Sequence, residues 1–202
     1  MQHAKTAIVD ATIVSSAARP RRVMEVQEVA DGEGSTSCEV KVEESKDADA
    51  RWLQKGQQFY FGYKLHTRTD DAGYVEKIHI SPANAHESRH LKESVKGCHN
   101  NRVVLADKGY SSKENREMLC DQHLRDGIMH KGTRAKKLSK AQKKFNRQVM
   151  KFRYRIAQTF GTLKRKFRFY RSSYLGMQKT LAQAIMKCMC LNLLKAANMI
   201  QI

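Results

Sequence analysis

The chain contains no acidic residue after Asp126: residues 127–202 include neither Asp nor Glu. Lys and Arg crowd the first half of this stretch, with sixteen of them between Lys131 and Arg171. A solvated basic helix face is one interpretation of such a run. A surface that contacts a phosphate backbone is favoured over it, because neutralising phosphates requires clustered cations.

Long apolar runs and paired cysteines are also missing. No run approaches the roughly 18 apolar residues that a membrane-spanning helix needs, and the N-terminus lacks the apolar core of a signal peptide. The five cysteines are odd in number and include no Cys-x-x-Cys pair. These absences predict free thiols and a cytoplasmic location.

The charge that is present is strongly positive and unevenly distributed. The 202 residues carry a formal charge of +18, which makes nucleic acid the leading partner, ahead of a membrane surface. Residues 25–49 run against this trend, with nine carboxylates and two lysines. The length predicts one domain over residues 1–202, and the low apolar content of residues 17–50 predicts an acidic flexible loop there.

Hydrophobic patterning predicts an α/β fold, a mixed β-sheet with helices on its faces. The first strand is expected to end near Asp10, and a strand over residues 102–106 delivers Asp107 at its tip. The remaining predicted elements are strands at 58–69, 74–80 and, weakly, 127–131, a hairpin turn at 70–73, and helices at 84–96, from 111 or 112 to about 123, and after Ser139 with breaks near Gly161 and Gly176.

Two aspartates on the ends of neighbouring strands can bind hard divalent cations such as Mg²⁺ through their carboxylate oxygens. Two such cations can activate an attacking oxygen and stabilise a leaving oxygen in an in-line displacement at phosphorus. Asp10 and Asp107 are the candidates for this role.

Six segments together resemble the catalytic domain of a bacterial insertion-sequence transposase of the DDE type, most similar to the insertion-sequence-five group. The resemblance covers residues 4 to 198 and implies an RNase H-like fold. The segments are AIVDATIV around Asp10, DARWLQKG at 49–56, YFGYKLHTRTD at 60–70, ISPANAHES at 80–88, VVLADKGYSSKENRE at 103–117 and QTFGTLKRKFRFYRSSYLG at 158–176.

The resemblance implies that Asp10 and Asp107 are the first two catalytic carboxylates and metal ligands. The third should be a Glu within a Tyr-x₂-Arg-x₃-Glu-x₆-Lys signature. Arg153 and Lys164 match that signature, but Ala157 occupies the Glu position and Met150 the Tyr position. Arg153, Ala157 and Lys164 share one helix face at 3.6 residues per turn, so the two cations could bind phosphates on either side of the missing carboxylate. Further candidates for phosphate contact are Arg155, Arg165 and Lys166.

No other acid is expected to replace the missing Glu. Composition excludes every residue after Asp126. Glu114 and Glu117 belong to a helix on which surface positions are usual, and Glu87 belongs to a separate segment. Gln158, next to Ala157, points about 100° away on a helix.

The resemblance implies DNA transposition: cleavage of transposon ends and strand transfer into target DNA with Mg²⁺ or Mn²⁺, impaired because the two-metal site is incomplete. A catalytically inactive DNA-binding remnant is the alternative. Transposon-end and target DNA are the expected partners, with a homodimer as a candidate assembly and no membrane or small-molecule cofactor. Only nine residues precede Asp10, so the N-terminal DNA-binding region usual in these proteins is expected to be absent.

A competing motif gives a remote alternative function. Residues His86-Glu87-Ser88-Arg89-His90 match the His-Glu-x-x-His pattern of zinc hydrolases, in which two histidines on one helix face bind zinc and the glutamate acts as base. No third ligand is evident nearby.

Overall fold

Eight strands and four α-helices form the computed structural model, which describes residues 5–28, 36–42, 45–133 and 137–200. The strands are β1 Thr6–Ser15, β2 Arg22–Glu28, β3 Thr36–Val42, β4 Arg51–Lys55, β5 Gln58–Thr69, β6 Val75–Pro82, β7 Val103–Ala106 and β8 Arg125–Ile128. The helices are α1 Leu91–Val95, α2 Lys113–Asp121, α3 Lys140–Arg165 and α4 Met177–Ala197, with short 3₁₀ helices at Glu87–His90 and Lys108–Tyr110.

Six of the strands form one mixed sheet. Its order is β4-β5-β1-β7-β8, and β6 also pairs with β5, following β4 along the same edge. β1 is antiparallel to β5 and parallel to β7, which is in turn parallel to β8. The predicted α/β class is therefore confirmed, and the sheet with its flanking helices is consistent with an RNase H-like fold.

Helices cover both faces of this sheet because the strands alternate apolar side chains between them. On one face Ile8, Leu65 and Leu105 pack with residues of α3 and α4. On the other face Val9 and Val104 pack with residues of α1 and α2. Among the described residues, no helix is both long and apolar enough to cross a membrane.

Local signals set several element boundaries. Ser139 caps α3 with a full capping box, in which its hydroxyl accepts from the Gln142 amide and the Gln142 side chain accepts from the Ser139 amide. The predicted hairpin turn at 70–73 is confirmed, with Gly73 at φ 82° and its amide donating to the Asp70 carbonyl at 3.1 Å.

Four sequence predictions about elements need correction. β1 continues through Asp10 to Ser15, and α3 runs unbroken through Gly161 because its flanking turns are packed against the sheet. Residues 84–96 form a 3₁₀ turn and a five-residue helix instead of one long helix. β8 begins at Arg125, two residues before the predicted strand.

The predicted acidic loop at 17–50 is also corrected in part, because β2 and β3 lie inside it as an antiparallel two-stranded sheet. The β propensity of this segment comes from four valines that lie among the acids, Val23, Val26, Val40 and Val42. Residues 29–35 and 43–44, which complete the acidic segment, lie outside the described residues.

Candidate active site

The register between β1 and β7 brings Asp10 and Asp107 to one place on the sheet. The two strands are parallel, and their pairing ends with Ile8 opposite Leu105. Each aspartate is two residues farther along its own strand direction, so both lie beyond the same end of this ladder. Asp107 also starts the 3₁₀ helix at Lys108–Tyr110, since its side chain accepts a hydrogen bond from the Lys108 amide at 2.6 Å.

Arg153 of α3 joins the two aspartates. Its Nη2 donates to Asp10 Oδ2 at 2.6 Å, and its Nη1 lies 3.3 Å from Asp107 Oδ1. Burial raises the pKa of the Asp10 carboxyl above its usual range, the Arg153 guanidinium opposes that rise, and the Asp107 charge adds to it. The two carboxylates therefore face a common centre that accommodates positive charge.

Ala157 lies one helical turn beyond Arg153 on α3 and is exposed. Its methyl group offers no metal ligand and no charge at the position where the resemblance implies a glutamate. Lys164 lies two turns farther along the helix and is half-buried. Burial and the nearby Lys55 ammonium lower the pKa of its side chain.

The other predicted phosphate-contacting residues do not join this centre. Arg155 lies over the Tyr154 ring, 5.9 Å from its centroid. Burial lowers the pKa of Lys195, Asp70 opposes this, and the charge of Arg155 adds to it. Arg165 and Lys166 are exposed where α3 ends, and Arg165 Nε donates to the Gly161 carbonyl at 3.3 Å. Of the five predicted cations, Arg153 contacts the aspartates directly.

Glu87 belongs to a separate segment of the sequence, but the fold places it close enough to Asp10 and Asp107 for their charges to interact. Burial raises the pKa of its carboxyl, Lys64 opposes the rise, and the charges of Asp10 and Asp107 add to it. Its Oε1 lies 3.8 Å from Lys64 Nζ. The sequence signal was a glutamate within the segment at 80–88, which already formed part of the family resemblance.

The charges of these acids also act on the Tyr110 hydroxyl. Tyr110 is fully buried, and its oxygen has no hydrogen-bond partner among the described residues. Burial raises its pKa well above the usual value, and the charges of Asp10, Glu87 and Asp107 raise it further. A buried hydroxyl without a partner is costly, so a polar ligand or water that reached it would stabilise the fold.

An open groove of about 840 Å³ leads to Asp107. Its wall is basic, and Met150, at the Tyr position of the signature, lies along it. The cationic lining residues are Lys108, Lys131, Lys143 and Arg147. A groove with such a lining suits a nucleic-acid strand approaching the carboxylates.

The zinc-hydrolase geometry does not form. His86 is exposed, and its Nδ1 hydrogen-bonds the Ser88 hydroxyl at 2.7 Å. His90 lies away from it and stacks on His66, with ring centroids 4.4 Å apart. The two histidines of the motif therefore do not converge, because the segment is a 3₁₀ turn in which residues three apart, not four, share a face.

Three other imidazoles do cluster. The nitrogens of His66, His79 and His90 lie within 4.8 Å of one another. His66 and His79 are directly opposite on β5 and β6, and their rings are nearly parallel, at 6°. A metal lies in the plane of each imidazole that binds it, so two parallel stacked rings cannot share one ion in this arrangement. The cluster is a stack of rings in which His66 is buried and His79 and His90 are half-buried.

The carboxylates at the Arg153 centre fit a hard divalent cation better than these histidines do. Carboxylate oxygens are the ligands that Mg²⁺ prefers. Asp10 and Asp107 converge on one cation already, the guanidinium, and the Tyr110 hydroxyl beside them lacks a partner among the described residues.

The chain is similar to known proteins over most of its length. Residues 3–193 match the family described as transposase DDE domain. The chain is 49% identical over 199 residues to the transposase for insertion sequence element IS1106 of Neisseria meningitidis serogroup B, an alignment that covers 98% of this chain and 67% of that protein. No solved structure gives a significant match.

Proposed function

The chain belongs to the DDE-domain transposase family, and from that premise we propose that it acts on DNA by divalent-metal-dependent phosphoryl transfer, with an activity impaired by Ala157. The reactions proposed are cleavage at transposon ends and transfer of the freed 3′ ends to target DNA. This function requires a bacterial cytoplasmic protein that associates with DNA.

One observation supports the proposal above the others: Arg153 contacts the carboxylates of Asp10 and Asp107 at 2.6 and 3.3 Å. This contact joins the two aspartates proposed as catalytic to the arginine of the Tyr-x₂-Arg-x₃-Glu-x₆-Lys signature. Asp10 and Asp107 would hold Mg²⁺ or Mn²⁺. When bound, such cations supply Lewis-acid stabilisation of the attacking and leaving oxygens.

The remaining residues position the DNA. Arg153 can exchange its contacts with the aspartates for bidentate contacts to a phosphate, since guanidinium groups bind carboxylates and phosphates in the same geometry. Lys164, farther along α3, offers a second cation to the same strand. The basic groove beside Asp107 would guide the backbone toward the carboxylates.

Ala157 is the reason to expect impairment. A site short of one anionic ligand loses more affinity for the second cation than for the first, because two aspartates already hold the first. DNA contacts do not depend on that carboxylate, so binding is expected to outlast cleavage.

This separation defines the second candidate function, a catalytically inactive DNA-binding protein. It is favoured specifically by the exposed methyl group at 157, combined with a formal charge of +18.

Nicking of supercoiled DNA by the whole chain, with Mn²⁺ and with EDTA, discriminates the two functions. We expect slow Mn²⁺-dependent nicking that the Asp107→Asn variant lacks, while both proteins retard DNA equally in gels. Equal nicking by both proteins would contradict the proposed site. Retardation without any nicking above the Asp107→Asn background would establish the DNA-binding alternative.

A further inference from the structure

A third carboxylate, which is not on α3, lies close enough to the aspartate pair for their charges to interact. Glu87 lies in the 3₁₀ helix between β6 and α1. Its Oε2 is 3.2 Å from the point where a Cβ on Gly109 would lie, and Gly109 is two residues from Asp107. The absence of a side chain at Gly109 thus leaves the Glu87 carboxylate room beside the site.

No partner in the described part of the chain fully satisfies this carboxylate. Lys64 Nζ is 3.8 Å away, too far for a hydrogen bond, and it donates instead to the Ala85 carbonyl at 2.7 Å. No hydrogen bond to Glu87 is found among the described residues. Arg153 compensates the two aspartates in the absence of metal, and a divalent cation could take over this role for all three acids.

The Tyr110 hydroxyl provides an independent sign of a missing ligand. It is fully buried, has no partner among the described residues, and lies in the field of Asp10, Glu87 and Asp107. A hydrated cation held by the three carboxylates would bring a water molecule within reach of this hydroxyl, which the protein alone leaves unpaired.

On the basis of the proposed function of Asp10 and Asp107, we propose that Glu87 is a third carboxylate of their divalent-cation site and supplies part of the negative charge missing at Ala157. The ligand is a hard divalent cation, Mg²⁺ or Mn²⁺. Glu87 belongs to a different element from Ala157, so it compensates in charge and not in position, and the site keeps one cation better than two.

Mn²⁺ binding to the whole chain tests this proposal, measured by electron paramagnetic resonance of the free ion. The proteins are the unaltered chain, Glu87→Gln, Asp10→Asn and the matched control Glu117→Gln, whose parent carboxylate on α2 is exposed and pairs with Lys113 at 3.6 Å. We expect Glu87→Gln to weaken Mn²⁺ binding roughly tenfold or more, Asp10→Asn to weaken it at least as much, and Glu117→Gln to leave it unchanged. Glu87→Asp should weaken it less than Glu87→Gln, because it keeps the charge. Thermal unfolding without metal verifies that each variant is folded.

The possible failures are distinguishable. If Asp10→Asn loses Mn²⁺ while Glu87→Gln binds it as the unaltered chain does, the role of Glu87 is overturned and the proposed aspartate site stands. If the unaltered chain binds no Mn²⁺, or Asp10→Asn binds it equally well, both the site and the role of Glu87 are overturned.

Discussion

The guanidinium of Arg153 contacts the carboxylates of Asp10 and Asp107 at once, at 2.6 and 3.3 Å. The three residues lie far apart in sequence and on three different elements. Their contacts link α3 to β1 and to the turn after β7. They also mark the place where two carboxylates lie together. Ala157 lies on α3, one turn beyond the arginine that contacts both acids.

Replacing Arg153 should leave the repulsion between the carboxylates of Asp10 and Asp107 uncompensated. Arg153→Met is expected to lower the free energy of unfolding by about 1–2 kcal/mol, at the lower end of values for buried charge pairs because the side chains are partly exposed. Added Mn²⁺ should raise the melting temperature of this variant more than that of the unaltered chain, since the cation takes over the charge compensation. Lys151→Met, at an exposed position of the same helix, is the control. Equal Mn²⁺ responses in all three proteins would contradict the shared centre.

Tyr110→Phe removes a buried hydroxyl that has no partner among the described residues. In metal-free protein the change should be neutral or should stabilise the fold by up to about 1 kcal/mol, because the cost of desolvating the hydroxyl disappears. Urea denaturation with EDTA measures this. A loss of more than about 1 kcal/mol would reveal that the hydroxyl makes a hydrogen bond in the folded protein.

The histidine stack predicts a loss of stability in acid. Burial, together with the charges of neighbouring imidazoles, lowers the pKa of His66 to about 2 and that of His79 to about 4. The unfolded chain protonates these residues below its ordinary histidine pKa of 6.5, while the folded chain keeps them neutral. Stability should therefore fall as pH decreases from 6.5 toward 4, by up to about 1.4 kcal/mol per pH unit for each histidine.

Urea denaturation at pH 7, 6 and 5 tests this slope with His79→Phe, which preserves ring stacking. The variant should depend less on pH than the unaltered chain. The control is His86→Phe, which removes an exposed histidine outside the stack. An identical slope in the unaltered chain and His79→Phe would contradict neutral burial of the stack.

The proximity of Asp10 and Asp107 could be predicted from the sequence because each follows a run with strand propensity, although β1 continues past Asp10 and only its pairing with β7 ends before it. The sequence placed Arg153 and Ala157 on one face through helical periodicity alone. It missed Glu87, because the approach of the 3₁₀ turn at Glu87–His90 to the turn after β7 depends on the tertiary path of the chain. The five residues from His86 to His90 also matched a zinc motif. Whether its two histidines meet depends on the type of helix, which those five residues do not determine.

Cleavage of transposon-end DNA by Ala157→Glu tests the central claim most directly. The substitution restores a carboxylate one turn from Arg153, and Ala157→Gln provides a control of matched shape without charge. We expect the Mn²⁺-dependent cleavage rate of Ala157→Glu to exceed that of the unaltered chain by roughly 100-fold or more, the upper range for losing a metal-site interaction, and Ala157→Gln to give no such gain. Equal rates for the unaltered chain and Ala157→Glu, with both dependent on Asp107, would contradict the claim that this alanine limits the activity.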